Sequence, residues 1–294
     1  MQVSRENTMA EQNVHVVKPH NFQGYLDFEA NEVEKSKQMW QPEFVKFCAL
    51  ADKYLILTSG MKIDNSQVRL PARLLLEVES QMYSIGSQLL RRRVTDAMVG
   101  LRRAIEATGV AYRVWKNPSL AEVFFNAYPW AEQQDHPKQW KTSEDYRREF
   151  NSGKLFGEEG EVWNSLKIGY QVLSAMASHA GPGALSGQEI QEGYYFSHFV
   201  ETNDKEIRRS WYYSISMLWA ILRVFFTILR QSIPVHVAGS LEADVISWRN
   251  SIESQMRERA PWMDRTDGPP SPLGLILTPH QIGFLLSEPV IRSN

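Results

Sequence analysis

The stretch Trp211–Ile233, WYYSISMLWAILRVFFTILRQSI, constrains this chain more than any other. Almost every residue in it is apolar or aromatic, and only Arg223 and Arg230 carry charge. A helix that is apolar all round must be buried, either inside a protein or in a membrane. About 20 apolar residues suffice to cross a bilayer. Arg223 near the middle would be costly there, Arg208 and Arg209 crowd the start, and no second span exists to receive that arginine. The sequence therefore predicts a buried core helix, with membrane attachment through 211–233 as the alternative.

A core of that kind needs material around it. Of the 294 residues, 43% are hydrophobic and 11% aromatic, which suits a globular chain rather than a disordered one. A formal charge of −2 argues against global attraction to nucleic acid or anionic membrane and leaves room for a local patch. Cys48 is the only cysteine, so no intrachain disulfide and no thiolate zinc cluster can form. The first 22 residues hold no continuous apolar run of the secretory type. The expected location is the cytoplasm.

The remaining periodicities are helical. Residues 1–38 read as a loosely held polar arm with at most short helical turns, 39–259 as one helical bundle domain, and 260–294 as a Pro/Gly-rich tail that docks on its own domain or on a partner. Within the bundle, Phe44, Phe47, Leu50, Ala51, Tyr54 and Leu55 recur at helical spacing, and Pro71 opens a second helix in its first turn. The clearest seam is Val94, Met98, Leu101, Ile105, Thr108, Tyr112 and Trp115. Asn117-Pro118 leads into SLAEVFFNAY, and 158–180 forms a further long helix closed by Gly181-Pro182-Gly183. YYFSHFV, near 194–200, reads as a short strand or an aromatic loop. Ser240 is expected to cap a last amphipathic helix. No alternating run of β-branched residues is present, so the fold class is all-α: an up-and-down bundle around one very apolar late helix.

Strong catalytic motifs are missing. The sequence contains no HExxH, Walker loop, GxGxxG or GxSxG, and its seven histidines show no metal-ligand spacing on one helix. No cofactor or metal is expected. Three weaker constellations remain. Tyr170, Ser174 and Ser178 stack along one helix with His179 at its end, where a helix C-terminus favours imidazolium. They make either an acid/base histidine beside hydroxyls or a packing face of small residues where another helix crosses. Arg73 with Glu77, and Arg102 with Glu106, are four apart beside core stripes, as structural ion pairs or as charges presented to a ligand. Seven basic residues between 91 and 116 face only Asp96 and Glu106. Arg91, Arg102 and Arg113, eleven apart and so three turns, would line up on one side. That face contacts phosphate, as in RNA, or is solvated and balanced by neighbouring acidic helices.

The order of these pieces resembles a known group. An R-x-x-x-E helix (Arg102 to Glu106), an N-P-x-L-A turn (Asn117 to Ala121) and a later Tyr-x3-Ser-x4-His (Tyr170, Ser174, His179) are similar to prokaryotic HEPN-like helical families. The likeness is to the branch in which a Ser-x4-His helix precedes a very apolar helix, and it covers residues 70–231. It implies an up-and-down bundle, frequent homodimers and, for active members, metal-independent RNA cleavage linked to stress or phage defence. This chain departs from the nuclease pattern. Those members carry Arg-x4-6-His on one helix, and no arginine stands at that spacing before His179. An arginine from another helix, Arg102, would have to face His179.

Two functions follow as expectations. The first is a module without catalytic activity that dimerises or binds a protein partner. The second is an RNA-processing enzyme with His179 as acid/base and Arg102 on the phosphate.

Overall fold

Local rules place the helices before any packing is considered. The computed structural model describes residues 22–59, 61–63, 65–127, 143–177 and 204–259. Its α-helices are α1 (Phe22–Met39), α2 (Gln41–Ser59), α3 (Ser66–Leu90), α4 (Val94–Lys116), α5 (Leu120–Phe125), α6 (Glu144–Glu149), α7 (Ser152–Leu155), α8 (Glu161–Ala177), α9 (Asp204–Leu229) and α10 (Val235–Arg259). A 3-10 turn, Arg230–Ser232, follows α9. Among the described residues there is no strand, and the all-α bundle is the observed fold. His179, Ser178, the YYFSHFV segment and the tail 260–294 lie outside the described residues.

The apolar stretch is the central rod. In α9, 83% of its most apolar window is buried inside the protein. Trp211, Ile215, Met217, Leu218, Ile221 and Phe225 are all buried. α9 packs on α2, α3 and α4, so it is enclosed from three sides. Tyr54 of α2 donates its phenol O–H to the Leu218 carbonyl at 2.6 Å. α3 and α4 form a long antiparallel pair, and α8 closes over α4. Most of the α4 seam is fully buried: Met98, Leu101, Ile105, Thr108 and Tyr112.

Several boundaries differ from the sequence expectation, each for a physical reason. The arm 1–38 is in part a helix: α1 covers Phe22–Met39. Its polar sequence is held by Glu32–Lys35 and Glu34–Lys37 pairs, by Glu29 against Arg93 at 2.6 Å, and by burial of Trp40 at its end. Pro71 is not in a first turn. α3 begins at Ser66, where Asn65 caps by accepting from the Gln67 N–H, and Pro71 sits a full turn inside. α10 starts at Val235, so Ser240 is interior to it.

The arginine run 91–93 is a turn, not the end of a helix. Arg92 takes φ of +60°, a left-handed conformation uncommon outside glycine. It holds that conformation while bridging Asp204 (2.9 Å) and Glu32 (3.7 Å) and lying 5.2 Å over the Trp40 ring. With Arg91 and Arg93 both against Glu29, four ion pairs thus fasten α1 and the start of α9 to the α3–α4 turn.

Candidate functional site

The residues flagged on α4 and α8 meet across the gap between those helices. Arg102 leaves α4 and donates from Nε to Ser174 Oγ at 2.8 Å and from Nη2 to Tyr170 Oη at 3.3 Å. Its guanidinium carbon lies 5.1 Å over the Tyr170 ring. Ser174 Oγ in turn donates to the Tyr170 carbonyl at 2.6 Å, and the Tyr170 ring packs at 5.4 Å on Phe156. All three side chains are half-buried. No partner for Arg102 Nη1 is present among the described residues. A planar guanidinium fixed on two edges, with one N–H pair left over, is a donor set suited to an oxyanion.

The close crossing also has a packing cause. An added Cβ on Gly169 of α8 would lie 3.0 Å from Tyr213 Oη of α9. Close packing on α8 is thus set at Gly169, while the hydroxyls of Tyr170 and Ser174 meet Arg102. His179 follows Ser174 by five positions and falls outside the described residues.

The other expected site residues are not gathered there. Arg73 and Glu77 are exposed, and Glu77 accepts from Gln81 Nε2 at 2.7 Å in place of an Arg73 pair. Arg102 spends its donors on α8, so the pair with Glu106 is not made. Arg91 stands in the α3–α4 turn as the C-cap of α3, which breaks its alignment with Arg102 and Arg113. It pairs with Glu29 at 3.7 Å, and Arg113 with Glu149 at 3.0 Å. Lys116 lies over the Tyr112 and Trp115 rings. Most of the 91–116 charge is thereby balanced by α1, α6 and the start of α9. Arg103 stays exposed beside Arg102.

A polar centre that sequence reasoning missed sits at the other end of the bundle. Glu43 of α2 is fully buried. It accepts from Arg259 Nε at 2.9 Å and Nη2 at 3.3 Å, lies 3.3 Å from Arg208 Nε, and accepts from Tyr212 Oη at 3.2 Å. Burial and then the Glu43 charge push the Tyr212 phenol well above its ordinary range. Its partners are 165 or more positions away in sequence, and no local spacing announces them.

A second surface feature is apolar. On α2, Gln41, Val45, Cys48, Asp52, Leu55 and Ser59 are all exposed and recur four and three apart, the spacing of a coiled-coil seam. Val45 is 54% and Leu55 52% exposed, with Ile56 beside them and Leu76 and Tyr83 of α3 also exposed. Burial and then the charge of Asp52 push the Cys48 thiol up. Among the described residues no three His, Cys, Asp or Glu side chains cluster as metal ligands.

Comparison with family models, with curated protein sequences and with solved structures gives no match to this chain.

Proposed function

We propose that the chain is a cytoplasmic, self-associating helical module whose contact face is the outward side of α2 with Leu76 and Tyr83 of α3. The observation that carries this is the exposed four-three seam on α2. Val45 and Leu55 in that row, with Ile56, Leu76 and Tyr83 beside it, are left in water on an otherwise well-buried bundle and are stabilised when a second helix covers them. The occupant is a second copy in antiparallel register. A two-fold axis near position 50 sets Val45 against Leu55 of the second copy and Cys48 against its Asp52. A parallel pairing would instead set Asp52 against Asp52, which like-charge repulsion disfavours. Light scattering at about 100 μM should give a dimer mass. The double substitution Val45→Glu, Leu55→Glu, at exposed positions, should give a monomer with an unchanged circular dichroism spectrum. A wild-type monomer under the same conditions would remove the proposal.

A second reading is favoured by a specific contact. The fixing of Arg102 by Ser174 and Tyr170 supports an RNA-processing enzyme of the HEPN-like kind, with Arg102 holding the scissile phosphate and His179 as acid/base. Stress or phage defence is the process that accompanies this reading. Cleavage of single-stranded RNA by the purified protein, lost in His179→Ala and in Arg102→Ala, is the expected result. RNA that survives the wild-type protein, or that His179→Ala still cleaves, sinks it.

A further inference from the structure

Three helices, α1, α2 and α3, leave a cavity of about 330 Å³ where they meet. Its walls are apolar: Val33 of α1, Phe44, Phe47 and Ala51 of α2, and Gly86 and Leu90 of α3. Cys48 and Tyr83 also line it, and both are exposed. Phe44 and Phe47 each stand edge-on to Trp211, at 6.4 and 5.4 Å between ring centroids, which fixes the aromatic wall from behind. Gly86 adds only backbone on the α3 side, where a Cβ would lie 2.7 Å from Phe47 Cε1.

The polar groups around this cavity are already engaged. Lys37 Nζ donates to Glu34 Oε1 at 2.8 Å. Arg91 Nη1 donates to the Ser87 carbonyl at 3.1 Å and to Ser87 Oγ, and Arg91 Nε lies 3.7 Å from Glu29. Tyr83 Oη donates to Glu79 at 3.3 Å. The Cys48 thiol, pushed up by burial and then by Asp52, is neutral at pH 7. Lys37 and Arg91, the two cations of the lining, thus meet their counter-charges before any ligand arrives. A charged occupant would lose its hydration here and gain no free partner, so an uncharged one is favoured. Phenyl rings on one wall favour a ring in return, edge-to-face or offset.

We infer that this cavity binds a neutral aromatic molecule of two or three rings, held by apolar contact with Phe44, Phe47 and Leu90. Its volume lies at the small end of ligand pockets and suits neither a peptide nor a polymer. The site shares Cys48 and Tyr83 with the proposed contact face but does not rest on self-association. The Val45→Glu, Leu55→Glu variant, altered at positions outside the cavity, should bind as tightly as the wild type or more so.

The probe is N-phenyl-1-naphthylamine, a neutral aromatic dye whose fluorescence reports an apolar surrounding. The wild-type protein should bind one equivalent saturably. Ala51→Phe, which fills the cavity from its α2 wall, should weaken binding at least tenfold. Lys37→Gln should change it less than twofold, because no charge takes part. Should Ala51→Phe lose its helical circular dichroism, Cys48→Trp, at an exposed position on the same cavity, carries the same tenfold expectation. No saturable binding by either the wild type or the Val45→Glu, Leu55→Glu variant overturns the inference. So does full affinity in a folded filling variant, which would place the dye elsewhere. A tenfold loss in Lys37→Gln also overturns it, since charge would then hold the ligand.

Discussion

At the scale of single residues, the bundle is limited by how closely its helices approach. Gly86 of α3 shows this best. A Cβ built there would lie 2.7 Å from Phe47 Cε1 and 3.1 Å from its Cζ. The Phe47 ring cannot swing away freely, because it stands edge-on to Trp211 at 5.4 Å. Alanine in mid-helix is worth about 1 kcal/mol over glycine, whereas forcing an extra carbon into a packed core costs about 1–3 kcal/mol. Gly86→Ala should therefore lower stability by about 1 kcal/mol. Gly239 in α10 is the contrast, since nothing lies within 4 Å of its added Cβ. Gly239→Ala should raise stability by about 0.5–1 kcal/mol. Urea unfolding of both variants checks the opposite signs; two changes of the same sign would mean that space is not what decides them.

At the scale of elements, two ionic clasps hold helices that are far apart in sequence. One is the arginine turn with α1 and α9. The other is Glu43, which joins α2, α9 and α10 at one point. A buried carboxylate with partners is costly to break, at about 3–5 kcal/mol for a fully buried pair. Arg208 and Arg259 are about a quarter exposed and rehydrate in part, so Glu43→Ala should cost about 2–3 kcal/mol. Glu43→Gln, which keeps one acceptor oxygen for Arg259 Nε and Tyr212 Oη and loses the other, should cost less. Thermal melts of the two variants separate charge from hydrogen bonding, and equal losses would count against this division. These clasps mark the limit of what periodicity makes legible. The rod at α9, the α4 seam and the all-α class follow from apolar spacing, because burial repeats every turn. The Arg102–Tyr170–Ser174 contact is half legible, since spacing aligns Tyr170 and Ser174 on one face but says nothing of which helix faces them. Glu43 is illegible for the same reason: a lone acid in a helix looks solvated until distant arginines arrive. The helix α1 escapes too, because its stability comes from pairs with Arg91, Arg92 and Arg93 and not from an apolar stripe.

At the scale of the whole molecule, enclosing α9 buries phenols along with apolar surface. Tyr54 and Tyr213 are almost wholly buried, and burial pushes both phenols well above the ordinary value of 10. Tyr112 is pushed up to about 12, by burial first and then by Glu158. Below pH 10 these groups are neutral in both folded and unfolded chains and add no pH dependence. Above pH 10 the unfolded chain releases their protons and the folded one keeps them, so stability falls with rising pH. The loss for each group continues until its folded value is reached, near 12 for Tyr112 and higher for the two wholly buried phenols. Each such tyrosine contributes about 1.4 kcal/mol per pH unit. Tyr213 offers the sharpest test, since its Oη has no hydrogen-bond partner among the described residues. Tyr54 differs, because its O–H is satisfied by Leu218. Tyr213→Phe should leave stability at pH 7 unchanged or raised by up to about 1 kcal/mol, as an unpaired buried hydroxyl is removed. Tyr54→Phe should cost about 1 kcal/mol at pH 7, the worth of a satisfied hydrogen bond. Both should make the decline between pH 10 and 11.5 shallower by about 1.4 kcal/mol per unit. Urea unfolding at pH 8, 10 and 11.5 measures all of these. A Tyr213→Phe slope equal to that of the wild type would show that the phenol ionises in the folded state, and so that water reaches the middle of α9.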